Sequence, residues 1–188
     1  MDWFENVTGC REGGYEATRN KLKVESGRLH SLVNGKSYGI GSLELVSLQT
    51  LRERAQSGGG LPGRLEVEIV RGDVRKLHLV PQNAGALFQV ASQFNMLEMT
   101  GPEVTPEQGV TRYDEDLTQG PACAIAAGAA TIFRNYFVPP GEGYGQTDER
   151  QLDGLAQMGE AKELQNLVLA FPERTTRFEP TARRELTV

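Results

Sequence analysis

The chain has 188 residues, 38% of them hydrophobic and 24% charged, with a formal net charge of −5. That length suits one domain with a core of its own, and a mean hydropathy of −0.41 argues against a membrane protein. The acidic balance leaves no basic excess to drive general binding to nucleic acid or anionic lipid through counterion release.

Residues 2–4 and 15–22 read as a polar N-terminal arm with a short helix. Residues 28–33 then alternate, and Asn34-Gly35 separates them from a second strand-like run, 36–40. Asn-Gly tolerates positive φ at both turn positions, so a β-hairpin is expected. Ser47 is placed to cap a helix running through Ala55, with Leu48, Leu51 and Ala55 at helical spacing. The glycine-rich run at 57–63 ends it as a loop or linker.

Residues 64–70 have the strict alternation of a strand: Leu65, Val67 and Ile69 against Arg64, Glu66 and Glu68. A second strand is expected over 86–94, ending at Asn95. The connection from 96 to 118 is long and polar, with Pro102 and Pro106. Loops of that length in compact domains are usually functional or ordered by a partner. Gly120-Pro121 opens the strongest helix, whose residues Ala122, Ile125, Ala126, Ala129, Ile132, Phe133 and Tyr136 keep one-face spacing. A glycine-rich loop at 141–147 and a helix at 148–170 follow, then a charged tail. The expected division is an N-terminal extension at 1–57, an α/β unit at 64–170 and a polar tail at 171–188.

The two cysteines, Cys10 and Cys123, are far apart, and the N-terminus has no signal-peptide pattern. Free thiols in the cytoplasm follow. Two cysteines and two histidines without close spacing argue against structural zinc, and no metal or cofactor is expected.

Four places could carry chemistry. Gly72-Asp73 reads alone as a turn, yet a carboxylate at a strand's carboxyl end also suits a ribose hydroxyl or an adenine amine. Gln93-Phe94-Asn95 offers two amides around an aromatic ring, fit either to cap a strand end or to clasp a sugar. Thr118–Ala122 leaves backbone N–H groups bare at a helix start lined by small residues, which suits a phosphate as well as a tight core contact. Asp114 and Asp116 lie in the acidic run Tyr113-Asp114-Glu115-Asp116, where carboxylates can orient water or hold a metal. A solvated loop is the commoner explanation of such a run. Cys123 lies in the first turns of that helix, but no base is identifiable beside it, so it reads as a buried structural cysteine.

Three stretches, Val70-Arg71-Gly72-Asp73-Val74, Val90-Ala91-Ser92-Gln93-Phe94-Asn95 and Gln119-Gly120-Pro121-Ala122-Cys123-Ala124-Ile125-Ala126-Ala127-Gly128, occur in an order that resembles the macrodomain superfamily. The resemblance covers about residues 64–137. It implies an α/β fold with a macrodomain-like mixed sheet and flanking helices, completed by a further segment or a partner chain. It also implies binding of ADP-ribose or an ADP-ribosylated molecule, with hydrolysis of ADP-ribosyl bonds in some members. Carried over by residue, Asp73 would meet adenine and Asn95 the distal ribose, with Val74, Gln93 and Phe94 as further ligand-binding candidates. Gly120, Pro121 and Ala122 would meet phosphate. Asp114, Asp116 and Asn95 are the catalytic candidates. Two other functions remain open: an interaction protein built on a degenerate nucleotide scaffold, binding a protein partner or a second copy of itself, and a metal-dependent hydrolase using the acidic loop.

Overall fold

The fold is taken from a computed structural model, which describes residues 2–60, 63–88, 95–98, 103–116, 118–138 and 145–153. Helices and one three-stranded antiparallel sheet make it a mixed α and β structure.

The N-terminus is not a polar arm. Helix α1, Trp3–Thr8, is capped by Asp2, which accepts from the Glu5 amide at 2.7 Å, and ends on Gly9 in the left-handed conformation. This short helix buries Trp3 and Phe4. Helix α2, Tyr15–Arg19, follows, and the chain then enters β1, Leu22–Glu25. Strand β1 pairs with β2, Arg28–Ser31, through a turn at Ser26 and Gly27, both at positive φ. Positive φ at both central residues matches the right-handed twist of the two strands.

Strand β2 pairs in turn with β3, Ser37–Gly39, with His30 opposite Ser37, so the expected hairpin forms. It is shorter than the alternation suggested. Residues 32–36 form the connection, and Leu32 and Val33 face solvent. The Asn34 side chain accepts from the Lys36 amide at 2.9 Å and Gly35 takes positive φ.

Helix α3, Leu48–Ser57, forms as expected under its Ser47 cap, which accepts from Thr50 N at 3.0 Å. It buries no residue.

Residues 64–70 are not a strand. They pair with nothing in the three-stranded sheet, and Leu65, Val67 and Ile69 are 84%, 78% and 91% exposed. Alternation alone states which side chains share a face; it does not supply a neighbouring strand. The second expected strand lies largely outside the described residues, and residues 86–88 form no strand.

Helix α4, Val74–Leu77, begins at Asp73, and the 96–118 connection contains two 3-10 turns, Pro106–Gln108 and Thr111–Glu115. The expected long helix is broken into α5, Gln119–Ala127, and α6, Ala129–Phe137. Gly128 separates them at φ 52° and ψ −106°, a conformation that ends one helix and redirects the next. Residues 148–153 are irregular rather than helical. The rest of that expected helix and the tail lie outside the described residues.

One buried cluster joins the N-terminal stretch to residues 110–136. Phe4, Leu22, Leu29 and Ile40 pack with Val110, Tyr113, Ile132 and Tyr136. The core therefore draws on both sides of the 57–63 glycine run. Among the described residues, no helix is long and apolar enough to cross a membrane.

Candidate functional site

The start of α5 faces a cavity of about 150 Å³, bounded by Met96–Glu98, Tyr113, the α5 face Gly120, Cys123, Ala124 and Ala127, and Thr131 and Arg134 of α6. The small residues of α5 leave the space. Gly120 lets the Glu98 carboxylate approach the helix closely, since a Cβ there would overlap it and make that side chain move. That carboxylate therefore lies against the first turn of α5, where the helix dipole favours negative charge.

Arg134 is the cavity's cation. Its Nη2 donates to Thr131 Oγ1 at 3.0 Å, while its buried Nε has no hydrogen-bond partner among the described residues. Burial lowers the pKa of the guanidinium, and the nearby Tyr113 and Glu98 oppose that shift. Burial raises the Tyr113 phenol, whose oxygen accepts from the Glu98 amide at 3.1 Å. Met96, on the same wall, sits at φ 60° without being glycine. A side chain in that region carries about 1 kcal/mol or more of strain.

The expected site residues divide between this cavity and its surroundings. Gly120 lines it, and Pro121 is buried in the same turn of α5 beside the half-buried Ala122. Asn95 is fully buried beside it and engaged by the protein itself. Its Nδ2 donates to Gln151 Oε1 at 2.7 Å, its Oδ1 accepts from Leu97 N at 3.0 Å, and its carbonyl accepts from Gln146 Nε2 at 2.9 Å. Gln146 also accepts from the Leu152 amide at 3.0 Å, so Asn95 ties residues 145–153 to the cavity wall.

Asp73 caps α4, accepting from Arg75 N at 2.9 Å. That backbone hydrogen bond, with the Arg75 side chain, holds its carboxyl below the usual range. Val74 is the first residue of α4. Arg75 reaches both Asp73, at 3.4 Å, and Asp114, at 3.7 Å. Asp116 accepts from Thr118 N at 2.8 Å and so forms the turn into α5. Asp73 and Asp114 are thus brought together by Arg75, and Asp116 shapes the helix start. Gln93 and Phe94 lie outside the described residues. Among the described residues no group of three or more His, Cys, Asp or Glu side chains could hold a metal ion.

One partner was invisible in the sequence. His78, at the end of α4, places Nε2 3.7 Å from the Cys123 sulfur. The expectation that no base stands beside Cys123 is corrected by this contact. Gln119 Nε2 also reaches the sulfur, at 3.5 Å, and the His78 ring stacks on Phe88 with centroids 4.0 Å apart. The two residues are 45 positions apart, and only the packing of α4 on α5 joins them.

A second depression, an open groove of about 670 Å³, lies between β1 and α6, with Leu22, Ile40, Phe133 and Phe137 in its walls. Arg19 lies over the Phe137 ring there, 5.2 Å from its centre. Compared with known proteins, the chain matches no family model, no curated protein and no solved structure.

Proposed function

We propose that the cavity at the start of α5 is an anion site through which the chain binds ADP-ribose or a related nucleotide diphosphate. The observation that carries this reading is the buried Arg134 Nε, a donor without a partner among the described residues, in the cavity at the first turn of α5. A buried unsatisfied donor calls for a ligand, ion or water. A helix start supplies further N–H donors for phosphate oxygens.

The size of the cavity limits what enters. Pockets that enclose a drug-sized ligand run to roughly 300–1,000 Å³, and 150 Å³ is well below that. A phosphate-sized group would occupy it, with the nucleoside outside. Glu98 must withdraw from Gly120 for this to happen, since its carboxylate would repel a phosphate. Hydrolysis would fall to Asp114 or Asp116, once released from Arg75 and Thr118 N.

Calorimetry with ADP-ribose and with inorganic pyrophosphate tests the reading. Saturable heat with both ligands, lost in Arg134→Gln, is expected. No response at millimolar ligand would end it.

A second reading, a protein-interaction surface, is favoured by a separate observation. Leu65, Val67, Ile69, Leu79 and Leu87 are each at least 78% exposed. Glu66 and Glu68 alternate with the first three. An extended partner segment with alternating apolar and basic residues would add as a strand there. Light scattering behind size-exclusion chromatography, comparing the chain with Leu65→Glu/Ile69→Glu, separates self-association from a monomer. A monomer in both forms leaves only a different chain as partner.

A further inference from the structure

His78 and Cys123 form a second chemical feature at the same cavity. Cys123 is buried from bulk solvent yet is part of the cavity wall. An imidazole stands 3.7 Å from its sulfur, stacked on Phe88. Gln119 brings an amide N–H to the sulfur. A nucleophile, a base within reach and a donor beside the reacting atom are the parts that covalent thiol chemistry needs.

We propose that Cys123 and His78 are a thiol–imidazole dyad that takes a small acyl group from an activated ester or thioester and then releases it to water. The acyl group would sit in the cavity behind the sulfur. In the first step the sulfur attacks the carbonyl carbon while His78 Nε2 accepts the thiol proton. The carbonyl π pair moves onto oxygen, where the Gln119 amide is placed to donate. As that pair returns, the bond to the leaving oxygen or sulfur breaks, and the leaving group takes the proton from His78. The products are S-acyl-Cys123 and an alcohol or thiol. Water, giving its proton to the same nitrogen, then attacks the acyl carbon. The C–S bond breaks, the sulfur regains the proton, and a carboxylic acid departs. No oxidant or metal enters either step.

Burial raises the Cys123 thiol above its ordinary value. The thiol is thereby kept from ionising unaided, and a base is needed at the moment of attack. The small, partly apolar cavity fits short acyl groups. The proposal shares this space with the nucleotide reading but does not rest on it: an ester needs no phosphate, and Arg134→Gln separates the two.

The full chain carrying Cys10→Ser is treated with 4-nitrophenyl acetate, and acetylation is followed by intact mass, peptide mapping and nitrophenolate release. Transient acetylation of Cys123 is expected, with nitrophenolate release continuing past one equivalent as the acyl group leaves to water, and both are absent in Cys123→Ser. His78→Gln should slow its formation by roughly 10²-fold or more, the usual range for a general base. The acylation rate should rise with pH through one ionisation and level off below the range in which the thiol itself ionises. Where His78→Gln does not fold, this profile decides the matter. Nitrophenolate release unchanged in Cys123→Ser, an acetyl group on Cys123 that never leaves, acylation of folded His78→Gln at the parent rate, or a rate that climbs steadily into the thiol range would each overturn the proposal.

Discussion

The Tyr136 hydroxyl donates to the Glu12 carboxylate at 2.7 Å, joining residues 124 positions apart. The same carboxylate accepts from Val110 N at 2.9 Å, from Thr111 N at 2.7 Å and from Thr111 Oγ1 at 2.6 Å. One side chain from the N-terminal stretch thus holds the 3-10 turn at Thr111–Glu115 against α6, and that turn carries Tyr113 to the cavity. Phe4 and Tyr15 pack on the Tyr136 ring from the same side of the sequence.

Glu12→Gln should therefore destabilise the fold well beyond a surface change. The amide keeps one acceptor oxygen but turns its NH₂ toward donors that already point inward. Hydrogen bonds to charged groups contribute about 1.5–3 kcal/mol each, and a buried donor left unmet costs a similar amount. A loss of about 3 kcal/mol is expected, read as a lower urea midpoint at unchanged slope.

The buried phenols make alkaline pH destabilising. Burial raises Tyr15, Tyr113 and Tyr136 above the ordinary value of 10.0. In the unfolded chain these groups lose protons near 10, whereas in the folded chain they keep them. Above that pH the folded state binds more protons than the unfolded one, so stability falls as pH rises. The contribution is complete below pH 10 and is lost as pH climbs toward the folded values. Tyrosinate absorbance should appear together with loss of circular dichroism. Tyrosinate forming ahead of unfolding at all five tyrosines would contradict the burial.

At the proposed anion site the Glu98 carboxylate lies against Gly120, in the first turn of α5 where a phosphate would bind. Glu98→Gln removes one negative charge from the first turn of α5 while preserving shape. Pyrophosphate affinity should rise by about tenfold, taking one helix-terminus charge interaction at about 1 kcal/mol or slightly more. Isothermal titration of the parent and the variant reads it. Equal affinity would place any bound phosphate away from α5.

Local signals were legible in the sequence where the cause is local. Ser47 caps α3, and Asn34-Gly35 closes a hairpin, because both depend on side chains within a few residues. Misreadings occurred where the determinant lies elsewhere in the chain. The 64–70 alternation has no strand beside it in the three-stranded sheet. Trp3 and Phe4 resemble a polar arm until α6 is packed against them. Gly72-Asp73 suits a ligand site or a turn by sequence, and Asp73 caps α4, a role the turn reading already contains. Asn95 was legible as special, but its partners Gln146 and Gln151 lie more than fifty positions away. The pairing of His78 with Cys123 has no local signature at all. It depends on α4 lying across α5, which follows from tertiary packing rather than spacing.

Gly128 offers a substitution whose sign separates two structures. In an unbroken helix, as the spacing of residues 121–136 suggests, Gly128→Ala would stabilise by about 1 kcal/mol through helix propensity. In the broken arrangement the residue sits at φ 52° and ψ −106°, outside the regions that a side chain tolerates. Space is not the obstacle, since an added Cβ would meet Ile125 O at 3.7 Å and a Val7 methyl at 3.8 Å, ordinary contacts. The cost is backbone strain, about 1–3 kcal/mol. The residue after it begins α6, which carries Thr131, Arg134 and Tyr136, so a forced straightening would also move one wall of the cavity. Gly128→Ala should therefore lower the melting temperature and weaken any ligand response at Arg134 together. A rise in melting temperature would mean that α5 and α6 run on as one helix, with the cavity wall displaced accordingly.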